Sequence, residues 1–530
     1  MRAFPVATFK NVSNAAPRPV QSRGMIAILD TKNDLDALSR FTSGRWLWRE
    51  QEQLACRYVK FELQELLDIA ASVVGAQSCT RVRKASEGQY NKVLFLTVNN
   101  GREIIAKLPN PNAGRPHFTT ASEVATLDFC EILRNVLNVP VPQVYAWSSK
   151  ATKNPISAEY ILIEKQTGVM LSNVWGSLKG KQRARLVLHV VDFEKTLAAT
   201  RFTSFGSFGK EVQSTKFAIG PTNHRTFFDF GRGSLGIDRG PWTSVVEFAT
   251  AVAKREIATV KSELKYPLMP EGLFYGPQQY QPIAAKKLST LHSCLKVAPY
   301  TLPENSATHA SVLWHGDLNL QNIFVDPKEP TRILGITDWQ SVSLSPLFTQ
   351  ATRPTFLEYN GPLPETLDKV RLPENFESLN PVEQQKAKAL HQAQTLHNLY
   401  LARSRQINPV VFEAIQGQKT LRHQVSIIPG LTIMDYEPCL NSLLRDIQKE
   451  WPSIVGQDSD GASSIPCPLQ FSANEVQEQE RDERTGDTGC FKHWDGRVNE
   501  QDYELSRKQL DEGVERFLQR EARNEEERKE

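Results

Sequence analysis

His315-Gly316-Asp317-Leu318-Asn319-Leu320-Gln321-Asn322, followed by Ile336-Thr337-Asp338-Trp339, sets three oxygen-bearing side chains in fixed order on a strand–turn–strand pattern. An apolar run, Ser311-Val312-Leu313-Trp314, leads into the turn that carries Asp317, and Asn322 follows five residues later. Two β-rich segments come next, Asn322-Ile323-Phe324-Val325 and then Thr331 to Thr337, and the second ends at Asp338. Phosphoryl transfer from a metal–nucleotide complex needs such a set. One carboxylate orients a hydroxyl and takes its proton, while an amide oxygen and a second carboxylate hold magnesium on the phosphates. Hard oxygen ligands suit Mg²⁺, which keeps several waters of its own. The bland alternative is a surface turn in which Asp317 and Asn319 only cap the backbone.

His-Gly-Asp-x-x-x-x-Asn with a later Ile-x-Asp-Trp resembles the catalytic signature of the aminoglycoside phosphotransferase and choline kinase-like family, which shares the protein-kinase fold. Protein kinases carry Arg where this chain has Gly316, and Asp-Phe-Gly where it has Asp338-Trp339-Gln340. That departure matches the small-molecule branch. The resemblance implies Asp317 as catalytic base, Asn322 and Asp338 as Mg²⁺ ligands, His315 as a support of the loop, and ATP as the phosphoryl donor. It also implies an α+β, bilobal protein kinase-like fold, with a five-stranded antiparallel N-lobe and a mainly helical C-lobe.

The upstream sequence supplies candidates for the remaining parts. Val93 to Val98 and Glu103 to Leu108 are β-rich runs joined by Asn99-Asn100-Gly101, which predicts a hairpin. Lys107, near the end of the second run, looks like the kinase strand-three lysine that contacts the α- and β-phosphates; otherwise it is an ordinary strand lysine. Lys84 to Lys92 stands where kinases place a phosphate-covering loop, but holds only Gly88. Ser86, Gly88, Gln89 and Asn91 are the nucleotide-contact candidates there. A helix is predicted from Thr120 to about Leu137, and Glu123 in its first turn lies sixteen residues after Lys107. Two roles compete for Glu123: ion-pair partner of Lys107, or the glutamate of a Thr120–Glu123 capping box. Glu131 is the fallback partner. Glu159 to Glu164 reads as a strand, and in the family the residues at its end form the hinge. Glu164, Lys165 and Gln166 are therefore carried over as the adenine edge, through main chain.

Length and composition bound the rest. A chain of 530 residues holds more than one lobe or domain. A net charge of +3 argues against coating nucleic acid, and no run of eighteen apolar residues predicts a membrane span. The seven cysteines form no C-x-x-C pair or Cys/His cluster, which argues against structural zinc or a disulfide scaffold. Residues 1–29 carry Arg2, Lys10, Arg18 and Arg23 and no acid, a composition that suits a mitochondrial presequence, although Pro5, Pro17 and Pro19 interrupt it; the cytoplasm is the other location. The expected organisation is presequence and linker at 1–40, N-lobe at 41–168, C-lobe at 169–455, and a charged tail at 456–530.

Phe41 to Trp48, Ala106-Lys107-Leu108-Pro109-Asn110-Pro111 and Gly114-Arg115-Pro116-His117-Phe118 together resemble the fungal altered-inheritance-of-mitochondria proteins, a phosphotransferase-like subgroup. Residues 203–242, rich in Gly, Phe and Ser, are expected to form a surface excursion near the substrate cleft. His224, Arg225, Arg232 and Arg239 in it are candidates for attracting an anionic substrate, against solvated loop charges. The last helix, with Leu505, Leu510, Val514, Phe517 and Leu518, is expected to dock on the C-lobe or to join a coiled-coil partner. The functional expectation is ATP- and Mg²⁺-dependent transfer to a hydroxyl of an unidentified small molecule. A mitochondrial nucleotide-binding pseudokinase or scaffold is the alternative. A protein kinase fits less well, since no Asp-Phe-Gly follows the Asp317 turn and no Ala-Pro-Glu is present.

Overall fold

The computed structural model describes residues 32–137, 140–210, 217–262, 264, 283–364, 366–457, 463–486 and 497–521. The presequence expected in residues 1–29 lies outside them. Helix α1 (Leu63–Val73) precedes a five-stranded antiparallel sheet formed by β1 (Cys79–Lys84), β2 (Asn91–Val98), β3 (Glu103–Pro109), β4 (Val144–Ser148) and β5 (Tyr160–Glu164), in spatial order β1-β2-β3-β5-β4. The β2–β3 turn closes through the Val98 amide on Arg102 O at 3.0 Å, with Gly101 at φ +83°, as an Asn-Gly turn requires.

Alternation along β2 sends Leu94, Leu96 and Val98 into a core shared with Leu66, Ala70 and Ala71 of α1. The opposite face of the sheet, which carries Val93 and Lys107, turns toward α2 (Phe118–Leu137), whose Glu123 meets Lys107. Leu38, in the short helix Lys32–Ser39, joins the same core. The same alternation makes Lys92 an inward position, 1% exposed.

The C-lobe is mainly helical. Helices α3 (Gly180–Ala199) and α6 (Pro381–Ile407) pack together around a core that includes Leu186, Val190, Trp339 and Tyr400. A second core lies between α4 (Val245–Lys261), α5 (Ala284–Val297) and α7 (Glu437–Val455), with Leu291, Leu440 and Trp451 buried. The capping box of α4 is explicit: the Glu247 amide donates to Ser244 Oγ, and the Ser244 amide donates to Glu247 Oε2, each at 3.1 Å. Between the lobes, β8 (Ser311–Leu313), β9 (Ile323–Val325) and β10 (Ile333–Ile336) frame the Asp317 turn, and β9 pairs with both β10 and Val169–Met170.

The 203–242 excursion is packed rather than loose. Its β6 (Ser207–Lys210) and β7 (Phe217–Gly220) pair as a hairpin, and Phe129 of α2 meets Phe202, Phe208 and Phe217 at centroid distances of 5.5, 4.8 and 5.5 Å. The tail divides. Helix α8 (Ala473–Gly486) sits on the C-lobe through Arg445–Glu483 and Lys286–Asp482, both at 2.5 Å. Helix α9 (Tyr503–Glu521) does not follow it. Arg497–Val498 pairs with Arg45–Trp46, Arg45 stacks on Tyr503 at 3.7 Å, and Arg507 donates to Leu47 O at 2.6 Å. The expected C-lobe docking of the last helix is thus corrected: its apolar stripe is narrow, and its charged side finds the N-terminal segment.

Candidate active site

Lys107 projects from β3 toward the cleft and is 8% exposed. Its Nζ lies 2.6 Å from Glu123 Oε1 of α2 and 3.3 Å from Asp338 Oδ1, which follows β10. Burial alone would lower the lysine's pKa, but the two carboxylate charges outweigh it and hold the ammonium above its ordinary value. Burial pushes the Glu123 carboxyl up while the ammonium pulls it down; at 2.6 Å the contact is an ion pair. Glu123 is available because another residue caps the helix. Glu159 Oε1 accepts from the His117 amide at 2.8 Å, and its Oε2 accepts from Thr120 Oγ1 at 2.6 Å. The side chain of Glu131 lies outside the described residues.

Asp317 stands exposed on the turn after β8, with its carboxylate ordered by two amides. Asn319 Nδ2 donates to Oδ1 at 3.0 Å; Asn322 Nδ2 donates to Asp317 O at 2.9 Å and to Oδ2 at 3.3 Å. Partial removal from water raises the Asp317 pKa, helped by the charge of Asp338 and opposed by the amide donors and His315. Asn319 Oδ1 also accepts from the Gln321 and Asn322 amides at 2.8 and 3.2 Å, so Asn319 builds the turn as well as holding Asp317. Its position two residues after an Asp, with an Asx-turn side chain, was the signal for this role.

His315 is buried, and burial lowers its pKa. Its Nε2–H donates to Thr337 O at 2.9 Å, and its ring meets Trp339 edge-on at 4.8 Å. Trp339 in turn donates from Nε1 to Ile336 O at 3.0 Å. This set anchors the Asp338 segment to the Asp317 turn. Asp338 itself sits at φ +67°, a left-handed conformation that a small polar residue tolerates best among non-glycines.

The donor set fits a hard cation. Both Asn322 Nδ2 contacts go to Asp317, which leaves Oδ1 as the remaining acceptor, and Asp338 keeps one oxygen beyond Lys107. Among the described residues no cluster of three or more His, Cys, Asp or Glu is placed to hold a metal. One amide and one carboxylate, completed by phosphates and water, is the arrangement Mg²⁺ accepts.

The covering segment meets the site at its far end. Asn91 Nδ2 donates to Gln340 Oε1, two residues past Asp338. The Asn110 amide donates to Tyr90 O at 2.8 Å, and Asn110 Nδ2 to Gln89 O at 3.0 Å. Ser86 and Gly88 are exposed, and nothing lies within 4 Å of the place a Gly88 Cβ would take. At the hinge, the side chains are committed elsewhere. Glu164 Oε2 accepts from the Gln143 amide at 3.2 Å, Lys165 pairs with Glu103, and Gln166 Nε2 donates to Leu334 O at 2.8 Å. Main chain is what residues 164–166 offer to a nucleobase, though the Glu164 N–H is already spent on Gln143 O. Of the excursion's cations, Arg232 is bound bidentately by buried Glu256 at 2.8 and 2.9 Å, and Arg239 caps the carbonyls of Phe227, Arg232 and Leu235. Those two are structural. Arg225 lies 4.8 Å over the Tyr90 ring and pairs with Asp229, and His224 contacts Thr226.

The model of the phosphotransferase enzyme family matches residues 81–349, half of the chain, and the chain belongs to that family of transferases. Among its relatives is a subtelomeric hrmA-associated cluster protein of Aspergillus fumigatus, 32% identical over 448 residues, covering 75% of this chain and 83% of the relative. Another is altered inheritance of mitochondria protein 9, mitochondrial, of Yarrowia lipolytica, 23% identical over 86% of this chain and 83% of the relative. A solved structure it resembles is the GDP and kanamycin complex of APH(2")-IIia, at 15% identity and TM-score 0.31 over 72% of this chain and 97% of that one.

Proposed function

We propose that this chain transfers a phosphoryl group from ATP, with Mg²⁺, to a hydroxyl of a small molecule. The observation that supports this most is the meeting of Lys107, Glu123 and Asp338 at 2.6 and 3.3 Å, beside an Asp317 turn ordered by Asn319 and Asn322. In this reading Lys107 neutralises the phosphates, and Glu123 holds its ammonium in place. Asp317 orients the acceptor hydroxyl and takes its proton. Asn322 and Asp338 would hold the magnesium ion, which supplies charge neutralisation on the phosphates. His315 keeps the two carboxylate-bearing segments in register. Catalysis of this kind is positioning and electrostatics. The relatives named as mitochondrial, together with the basic, acid-poor residues 1–29, support a mitochondrial location.

A second reading, a nucleotide-binding scaffold, draws on the single Gly88 of the covering segment. Purified protein, with Asp317→Asn as control, separates the two in a metabolite-extract screen read by mass spectrometry. A phosphorylated product made by wild type and not by the variant supports the enzyme. Equal ATP loss in both, with no product, supports the scaffold.

A further inference from the structure

The covering segment has no glycine-rich turn, and a buried knot of charge stands in its place. Glu87, in the middle of the segment, is 6% exposed. Its Oε1 lies 2.6 Å from Lys92 Nζ, and its Oε2 lies 2.7 Å from Lys84 Nζ and accepts from the Thr42 amide at 2.7 Å. The Glu87 amide donates to Ser43 Oγ at 2.7 Å. The lysines also reach carbonyls at the end of the helix Lys32–Ser39 and just past it: Lys84 donates to Ala37 O and Arg40 O at 2.9 and 2.6 Å, and Lys92 to Arg40 O at 2.9 Å. Residues 37–43 therefore lie as a strap against the covering segment. Lys92 occupies a core-facing position of β2, where an unpaired ammonium is costly. Burial lowers the pKa of both lysines, and Glu87 opposes it.

The knot is continuous with the candidate site. Four residues beyond Glu87, Asn91 holds Gln340 of the Asp338 segment, while Asn110, which follows the Lys107 strand, holds Gln89 and Tyr90. The outer side of Gly88 is open. A segment pinned from behind and open in front suits main-chain N–H groups meeting phosphate oxygens, because the cost of ordering it is met on folding.

We propose that Glu87, tied to Thr42 and Ser43 of the strap, is a positioning residue for the nucleotide: it fixes residues 85–91 in the geometry that receives the phosphates. This rests on the phosphotransferase reading above. The test uses full-length Glu87→Gln and Ser43→Ala. Calorimetry would measure binding of Mg–ATP and of adenosine, and hydrogen exchange would follow residues 85–91. Both variants should bind Mg–ATP at least tenfold more weakly, bind adenosine within about threefold of wild type, and exchange faster in 85–91 alone. A merely structural loss would weaken both ligands together, and that result overturns the proposal. If Glu87→Gln does not fold, Ser43→Ala, which keeps every charge, decides. Variants that bind Mg–ATP as tightly as a binding-competent wild type overturn the strap's role alone. Wild type that binds no Mg–ATP overturns it together with the phosphotransferase reading.

Discussion

Lys107 Nζ and Asp338 Oδ1 lie 3.3 Å apart, although 231 residues separate them and they belong to different lobes. The same ammonium holds Glu123 at 2.6 Å. One cation therefore ties the N-lobe sheet, the N-lobe helix and the segment after β10 into a single electrostatic unit. Asp338 is the more exposed of the two acids, with a third of its side chain open, so it is the one able to exchange Lys107 for a metal ion.

Asp338→Asn should therefore leave the Lys107–Glu123 pair and the fold intact, with Tm within a few degrees of wild type. Phosphoryl transfer should fall by on the order of 10³-fold or more, several kcal/mol of transition-state stabilisation. Steady-state turnover on the acceptor found by the extract screen measures it. A variant keeping a tenth of the wild-type rate would remove Asp338 from the metal role.

Glu123 and Glu159 should separate cleanly. Glu159→Ala removes the acceptor for the His117 amide and Thr120 hydroxyl, and loss of such a cap costs about 1 kcal/mol. Thermal denaturation should show that loss with nucleotide affinity little changed. Glu123→Gln should show the reverse: a small shift in Tm and at least a tenfold loss of turnover, because the charge that holds Lys107 is gone.

Asp317→Asn should bind Mg–ATP within about threefold of wild type by calorimetry, and lose about 10²–10⁴-fold in transfer, the range of general-base assistance. The carboxyl must be ionised to accept a proton, and its pKa is raised. The acid limb of the wild-type rate profile should therefore lie above the usual Asp value of about 4, and activity should be lost as pH falls through it.

Stability should fall on both sides of a pH maximum. Burial lowers the pKa of His397 and His423 to about 4, against about 6.5 unfolded. Between those values the unfolded chain binds more protons, so stability falls as pH drops from 6.5 toward 4, by up to about 1.4 kcal/mol per pH unit for each histidine. Glu194, buried against Tyr400 at 2.7 Å, is pushed up to about 8. There the folded state holds the extra proton, so stability falls as pH rises from about 4.5 toward 8. Chemical denaturation across pH should show the alkaline slope shrink in Glu194→Gln. An unchanged slope would exclude Glu194 as its source.

What the sequence disclosed follows from range. The Asp317 turn, the Asn99–Gly101 hairpin and the β-strands flanking both are local patterns, and the structure has them. Glu123 carried two local meanings. Only the fold shows that Glu159, thirty-six residues further on, takes over the cap and leaves Glu123 to Lys107. The Glu87 knot was missed because its partners Thr42 and Ser43 lie 45 and 44 residues away. One local sign was present: Lys92 shares the inward parity of Leu94 and Leu96, and a lysine in that place demands a buried acid. Docking of the last helix on residues 45–47 had no local sign, because neither two-residue strand of that pair forms alone.

That pairing sets an order of events during synthesis. Arg45 and Trp46 are made early, but their β partners, Arg497 and Val498, are made more than 450 residues later, and the Leu47–Arg507 contact spans 460. Until the ribosome has delivered those residues, Arg45–Leu47, just beyond the strap, lacks these partners, while the rest of the N-lobe already has every strand it needs. The nascent chain thus completes its sheet long before it can pair the residues that follow the strap.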